Sequence, residues 1–384
     1  IFGISGGGGY LALAYSVRAV LREYLHRAED IPEKVRAGII ESLFEILPEW
    51  TEDTFPGLLN NVISGRISNQ FNLMGLNFSV DAACASSLAA CQVACQELSY
   101  GITKMAIVGG VDTSQHPFGY TCFSKTMALS KKGSSAPFDK DSDGIILSEG
   151  VGVVVLKRLN NAIADGDRIY SVIKGIGGAS DGKGRCLTVP GSQGQVMAVN
   201  RAYEIADYDS STLQLLEAHG TGTSLGDRTE LESMQKVITK SGDQEASLAV
   251  GSIKSTFGHA KAAAGVLGII KTALALYYKV YPATINIKQV NPAAVSDKSS
   301  IYINTTTRPW VSAMEHPRRA GVNAFGFGGT NFHVAMEEFS GISSEPARFP
   351  GSLCSDELFF ISGGSDDDIL KKLDILLNSV KQNR

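Results

Sequence analysis

No two of the six cysteines (84, 91, 95, 122, 186 and 354) stand in a C-x-x-C pair, so zinc binding and thioredoxin-type redox chemistry have little support. No metal site is expected. So few cysteines in 384 residues suggest a reducing compartment, and a cytoplasmic location is expected. No apolar run approaches the length of a membrane span and nothing reads as a signal peptide, so no membrane span is expected. Basic residues are neither in excess nor clustered: Lys+Arg 35 against Asp+Glu 39 leaves a formal charge of −4. Nucleic acid and anionic membrane are therefore poor partners. There is also no initiator methionine. Ile1-Phe2-Gly3-Ile4 reads as the middle of a strand, and the start of the natural protein is expected to lie outside this sequence.

What remains is the composition of a globular protein, 43% hydrophobic and 19% charged. That is enough for one large domain or two to three ordinary ones, with a sizeable core. Many of the 41 glycines lie in short loops between apolar runs, where tight turns need them. Helical apolar spacing covers Tyr10–Arg27 and Pro32–Leu47. From Asn61 short strands and helices alternate. Strand-length apolar runs are Met105–Val111, Gly150–Leu156, Ile169–Ile176, Thr212–Ala218 (running into His219) and Ser247–Ile253 (running into Lys254). Gly265–Tyr278 has the pattern of a buried helix, and Arg319–Phe325 and Thr330–Met336 flank a glycine loop. The alternation predicts an α/β core with strands covered on both faces. Beyond Glu338 the composition turns to Ser, Gly, Glu and Pro, followed by a short strand, Leu358–Ile361, and a helix, Asp366–Val380. This tail reads as the start of a linker in a multidomain parent.

Four stretches carry candidate chemistry. In Val80-Asp81-Ala82-Ala83-Cys84-Ala85-Ser86-Ser87-Leu88, an extended run meets small residues and then a helical pattern. Cys84 falls at a strand-to-helix elbow, where free N–H groups and the helix dipole ease ionisation of a thiol. A small buried cysteine fits the same stretch equally well. Cys84, Cys91 and Cys95 share one helical face, which reads as packing. In Glu217-Ala218-His219-Gly220-Thr221-Gly222-Thr223 a histidine ends a strand, the place where ligands gather in α/β sheets; taken alone, it reads more readily as a satisfied core or loop residue. In Lys254-Ser255-Thr256-Phe257-Gly258-His259 a lysine and a histidine flank a turn before an Ala/Gly-rich helix. Tight packing explains the small residues but not the polar ones. The fourth, Asn323-Ala324-Phe325-Gly326-Phe327-Gly328-Gly329-Thr330-Asn331, offers loop N–H groups suited to an oxyanion hole. It has no Walker or G-x-G-x-x-G arrangement.

These four motifs, in this order, resemble the β-ketoacyl synthase (condensing enzyme) family over roughly Ile1 to Glu338, with supporting matches at Pro137-Phe138-Asp139, Asp143-Gly144 and Ser148-Glu149-Gly150. Phe55-Pro56-Gly57, Gly109-Gly110-Val111-Asp112-Thr113, Cys122-Phe123-Ser124-Lys125-Thr126 and Ser180-Asp181-Gly182-Lys183-Gly184 look like ketosynthase domains of iterative type I polyketide and polyunsaturated fatty acid synthases. The resemblance implies a thiolase-type α/β fold of two similar βαβαβαββ-like halves in five αβαβα layers. Each half would hold a mixed five-stranded sheet, and the N-terminal half would be truncated. Residues 1–338 would be the ketosynthase domain and 339–384 a linker or the start of an adaptor region.

The implied activity is decarboxylative Claisen condensation of a Cys84-bound acyl chain with malonyl-acyl carrier protein. His219 and His259 would stabilise the enolate, and the Cys84 and Phe327 amides would form the oxyanion hole. Lys254 would hold His259 and its loop, with Glu230 as its ionic partner. Phe325 and Phe327 would line and gate the pocket, and Thr221 and Thr223 would support the histidine loop. No cofactor would reside in the domain, because substrates arrive on the phosphopantetheine arm of an acyl carrier protein. Further partners would be the other domains of a multidomain synthase and a second copy in a homodimer. Rival readings are a silent chain-length-factor-like scaffold, a non-decarboxylating thiolase-fold acyl-CoA enzyme and a cysteine hydrolase. The scaffold would lack the cysteine, and the hydrolase would want its base oriented by Asp or Asn.

Overall fold

The computed structural model describes residues 1–4, 9–183, 189–238, 248–292, 295, 299–312, 316–341 and 361–382. A two-residue strand, β1 (Phe2–Gly3), precedes α1 (Gly9–His26), α2 (Glu33–Ile46), α3 (Thr54–Leu58) and α4 (Asn60–Gln70). The first two helices fall where apolar spacing places them. Pro32 sits at the N-cap of α2, where its missing N–H costs no helical hydrogen bond. Then come β2 (Ser79–Val80), α5 (Ser86–Ser99), β3 (Met105–Asp112), α6 (Pro117–Lys125), β4 (Gly150–Lys157) and α7 (Leu159–Ala164). The second half runs β5 (Val172–Ser180), α8 (Ser192–Ala206), β6 (Leu215–Glu217), α9 (Ser224–Ile238), β7 (Leu248–Gly251), α10 (Lys254–Phe257) and α11 (Ala264–Tyr278). It closes with β8 (Val280–Tyr281), β9 (Ile301–Ile303), β10 (Arg308–Pro309), β11 (Arg319–Gly326), β12 (Thr330–Glu337) and α12 (Asp366–Gln382).

One sheet has the order β2-β1-β3-β4 and the other β5-β12-β11-β6-β7-β9. Within the second, β7-β6-β11-β12 repeats the first sheet strand for strand, with three parallel strands and a last antiparallel one. The two similar halves are therefore present. Among the described residues their sheets hold four and six strands, not five each, because β5 and β9 extend the second on either edge. Helices α5 and α11 lie between the sheets, α5 against β1 and β3 and α11 against β4 and β11, while α8 covers β5 and β12. On the far side of the first sheet the outward residues of β4, Val151, Val153 and Val155, are exposed.

The central helices approach closely because their facing residues are small. A Cβ on Gly265 would lie 2.7 Å from Leu88 Cγ, and the Val266 amide donates to Ser87 Oγ at 3.0 Å. The window Lys261–Tyr278 does have the length and mean hydropathy of a membrane span, contrary to the sequence reading, and 61% of it is buried in this core.

Each central helix is entered through the same device. A 3-10 turn, Ala83–Ala85 or Lys261–Ala263, leads into α5 or α11. Each turn opens on a residue in the left-handed region, Ala83 at φ 49° and Lys261 at φ 48°. Each is braced by a glycine of the opposite half. A Cβ on Gly326 would meet the Ala82 carbonyl oxygen at 2.3 Å, and one on Gly110 would meet the Ala262 carbonyl oxygen at 2.9 Å.

Two strands depart from their sequence limits. The run Thr212–Ala218 keeps only three strand residues, because Ser210–Thr212 forms a 3-10 turn capped by the Asp209 side chain. The run Ile169–Ile176 starts and ends later, as β5 extends along the whole of β12. Of the expected strand Leu358–Ile361, all but Ile361 lies outside the described residues, as do Ser247, Gly184, Cys186 and Cys354.

Candidate active site

The Cys84 elbow is tied by its own short polar side chains. Asp81 Oδ1 accepts the Ala83 amide at 2.9 Å. Ser86 Oγ accepts the Ala82 amide at 2.9 Å and donates to the Ala83 carbonyl at 2.6 Å. Gly326 lets the end of β11 reach this elbow, and Gly328 (φ 101°) and Gly329 (φ 81°) turn the chain back into β12. The turn presents the Phe327 amide, which donates to the Cys84 sulfur. Thiol and loop donor thus meet as the motifs imply.

Its ionisation does not follow the sequence reading. Burial pushes the half-buried Cys84 thiol up, and this outweighs the Lys254 charge and the Phe327 hydrogen bond, which pull it down. Desolvation of a thiolate beats a helix terminus here. Cys84 is a protonated thiol at neutral pH.

The two histidine loops converge. The His219 and His259 rings lie 5.5 Å apart at 82°, and Phe325 packs 5.7 Å from His219. Burial first, and then the Lys254 charge, hold both imidazoles well below the usual range, so both are neutral. His259 Nδ1 accepts the Lys261 amide at 3.0 Å. That nitrogen is therefore unprotonated, and the ring proton sits on Nε2. His219 Nδ1 is buried without a hydrogen-bond partner among the described residues. A buried polar atom left open in this way calls for a ligand or water.

The expected Lys254–Glu230 ion pair is replaced by a division of work. Glu230 accepts the His219 amide at 2.7 Å, the Gly220 amide at 2.8 Å and Asn323 Nδ2 at 2.8 Å. The Lys254 ammonium donates to the His219 carbonyl. The two charges still attract through space, but each holds the backbone of the His219 loop. Lys254 holds that loop and not His259, whose ring is set by Lys261. Backbone amides at a strand end must find acceptors, and the carboxylate beneath them supplies charge-assisted ones.

Thr221 and Thr223 hydroxyls bond each other at 2.9 Å. Asp227 accepts the Gly222 amide at 3.1 Å and the Phe138 amide at 2.8 Å. Phe327 is 56% exposed while Phe325 is buried, so the ring in contact with a histidine is that of Phe325.

Sequence reasoning gave no role to Lys261, Asp112, Asp227 and Asn323, although each lies in or beside a quoted motif. The Lys261 ammonium bridges Asp112 at 2.9 Å and the Ser148 carbonyl at 3.2 Å, which leaves its amide aimed at His259. The available signal was polar residues on core strands and beside an apolar helix, which must find partners.

Comparison with known proteins follows the same lines. Residues 44–162 match the β-ketoacyl synthase N-terminal domain and residues 170–288 its C-terminal domain. A polyunsaturated fatty acid synthase chain of Thraustochytrium is 43% identical over 88% of this chain, which spans 12% of that protein. A highly reducing polyketide synthase of Neurospora crassa is 37% identical over 82% of this chain, which spans 14% of it. Among solved structures, the ketosynthase from module 6 of the Bacillus subtilis bacillaene synthase superposes with a TM-score of 0.72 at 36% identity. That match covers 76% of this chain and 53% of the other.

Proposed function

The chain belongs to the β-ketoacyl synthase family, and from that membership we propose that it joins a Cys84-bound acyl group to a malonyl unit with loss of carbon dioxide. The Cys84 sulfur attacks the thioester of an acyl carrier protein. Its proton leaves with the departing phosphopantetheine thiol, and the acyl group remains on Cys84. The Phe327 amide, with that of Cys84, holds the oxyanion formed in this step, and loss of one such donor typically costs about 10²–10³-fold in rate. Malonyl thioester then loses carbon dioxide, and its carbonyl oxygen becomes an enolate oxygen that accepts N–H groups from the two imidazoles. The enolate carbon attacks the acyl thioester, the carbon–carbon bond forms, the carbon–sulfur bond breaks, and the Cys84 thiolate released takes up one proton from solvent.

The observation that carries this reading is the Lys261 amide on His259 Nδ1. A hydrolase histidine holds a proton on Nδ1 for a carboxylate and takes a second on Nε2. His259 is set the other way, as a neutral donor with its N–H on Nε2. Such a group stabilises an oxyanion and does not deprotonate a water. The short share of its relatives that the chain spans supports reading it as one catalytic part among the domains of a synthase, with residues 1–338 as the condensing unit and 339–384 as linker.

Intact-mass spectrometry after incubation with acyl-carrier-protein thioesters tests the proposal. The wild-type chain should gain one acyl group, lose it to a β-ketoacyl product when malonyl-carrier protein is added, and gain none in Cys84→Ala. Release of free acid as the main product would overturn it.

A further inference from the structure

Behind the His219 loop, a line of buried side chains crosses the second half of the molecule. Tyr203 on α8 places its hydroxyl 3.3 Å from His333 Nε2. His333 Nδ1 lies 2.6 Å from Asn323 Oδ1, the two residues facing each other across β11 and β12. Asn323 Nδ2 donates to Glu230 Oε1 at 2.8 Å, and the same oxygen accepts the His219 amide. Tyr203, Glu230, Asn323 and His333 are all buried, His333 at 0% exposure.

A single set of donors satisfies every bond in this line. Glu230 already accepts a backbone amide on each oxygen, from His219 at Oε1 and from Gly220 at Oε2, so Asn323 offers it the amide nitrogen and turns its carbonyl oxygen to His333. An oxygen acceptor there requires the proton on His333 Nδ1, which leaves Nε2 to accept from the Tyr203 hydroxyl. Burial holds His333 far below the usual imidazole range, at about 3, so it stays in this neutral form. A Cβ on Gly321 would lie 2.6 Å from His333 Cε1, so the site is shaped around the ring.

We propose that His333 is a positioning residue for His219, acting through Asn323 and Glu230. By donating to Oδ1, His333 locks the Asn323 amide in the one orientation that gives Glu230 a third donor. Glu230 in turn grips the two consecutive amides, His219 and Gly220, that aim the His219 ring. Without the His333 donor the Asn323 amide is free to rotate, and its oxygen would then repel the carboxylate. The inference rests on the condensing-enzyme reading for its consequence in catalysis, and on geometry alone for its effect on the loop.

Two variants separate donor from bulk. His333→Leu fills space without a donor, and His333→Asn keeps an N–H near the Nδ1 position. Hydrogen exchange at the His219 and Gly220 amides should quicken by about tenfold or more in His333→Leu, the scale of a lost hydrogen bond to a charged group. It should return most of the way in His333→Asn. The kcat for malonyl decarboxylation should follow the same order, while acyl loading of Cys84 stays as in the wild type. Should His333→Leu fail to fold, Tyr203→Phe removes the outermost donor and should quicken the same two amides by a smaller factor. Unchanged exchange at these amides in the folded variants overturns the proposal, as does a His333→Asn protein of wild-type melting temperature that behaves like His333→Leu. A wild-type chain with protected amides and no condensing activity would instead count against the function proposed above.

Discussion

A protonated thiol beside a lysine and a loop amide waits for its substrate and is not permanently armed. At Cys84 the thiolate is disfavoured by burial, and Lys254 and Phe327 only partly offset this. Alkylation of Cys84 by iodoacetamide, followed by peptide mass spectrometry, should therefore rise with pH along a curve whose midpoint lies above that of an ordinary cysteine. A midpoint below it would show that the helix terminus wins after all. The placement of Cys84 was legible from the small residues around it. Its protonation state was not, because that is set first by burial and then by Lys254 and the Phe327 amide, which come from far away along the chain. Lys261 is the sharper case: its side chain drew no attention in the sequence, and its contribution to the site is a backbone amide.

Elements were read well wherever one segment's own periodicity sets the structure, as in α1, α2 and α11. They were read less well where pairing with a distant strand decides the limits, as in β5, which follows the length of β12. The contact between α5 and α11 belongs to the same class, since no local pattern shows that Gly265 must face Leu88. Gly265→Ala should lower stability by about 1–3 kcal/mol through overpacking, read as a lower denaturant midpoint at unchanged slope. Gly38→Ala is the counterpart. It lies in α2 with nothing within 4 Å of a new Cβ, and should raise stability by about 0.5–1 kcal/mol through helix propensity.

At the scale of the molecule, three neutral histidines, His259 and His333 buried and His219 half-buried, tie stability to pH. His219 and His259 are held well below 6.5, and His333 at about 3. In the unfolded chain each takes up a proton as pH falls through 6.5, while the folded chain resists. Their contribution is therefore fully present above 6.5 and is lost progressively as pH falls below it, for His333 down to about 3. Each histidine adds up to about 1.4 kcal/mol per pH unit within that window. Thermal melts between pH 7.5 and 5 should show a falling midpoint, with a smaller fall in His333→Asn; a midpoint that did not move would contradict neutral imidazoles. The two-halved plan entered through the family resemblance of the four motifs and not through any local pattern of residues, and the matching strand orders β2-β1-β3-β4 and β7-β6-β11-β12 display it. One feature of that plan reaches furthest. Gly326 of the second half props the elbow that holds Cys84, and Gly110 of the first props the elbow that aims His259. Each half thus keeps the mould for the other's working part, and neither could be shaped alone. The working site in such a molecule is inherited from neither repeat; it exists only where the two are closed on one another.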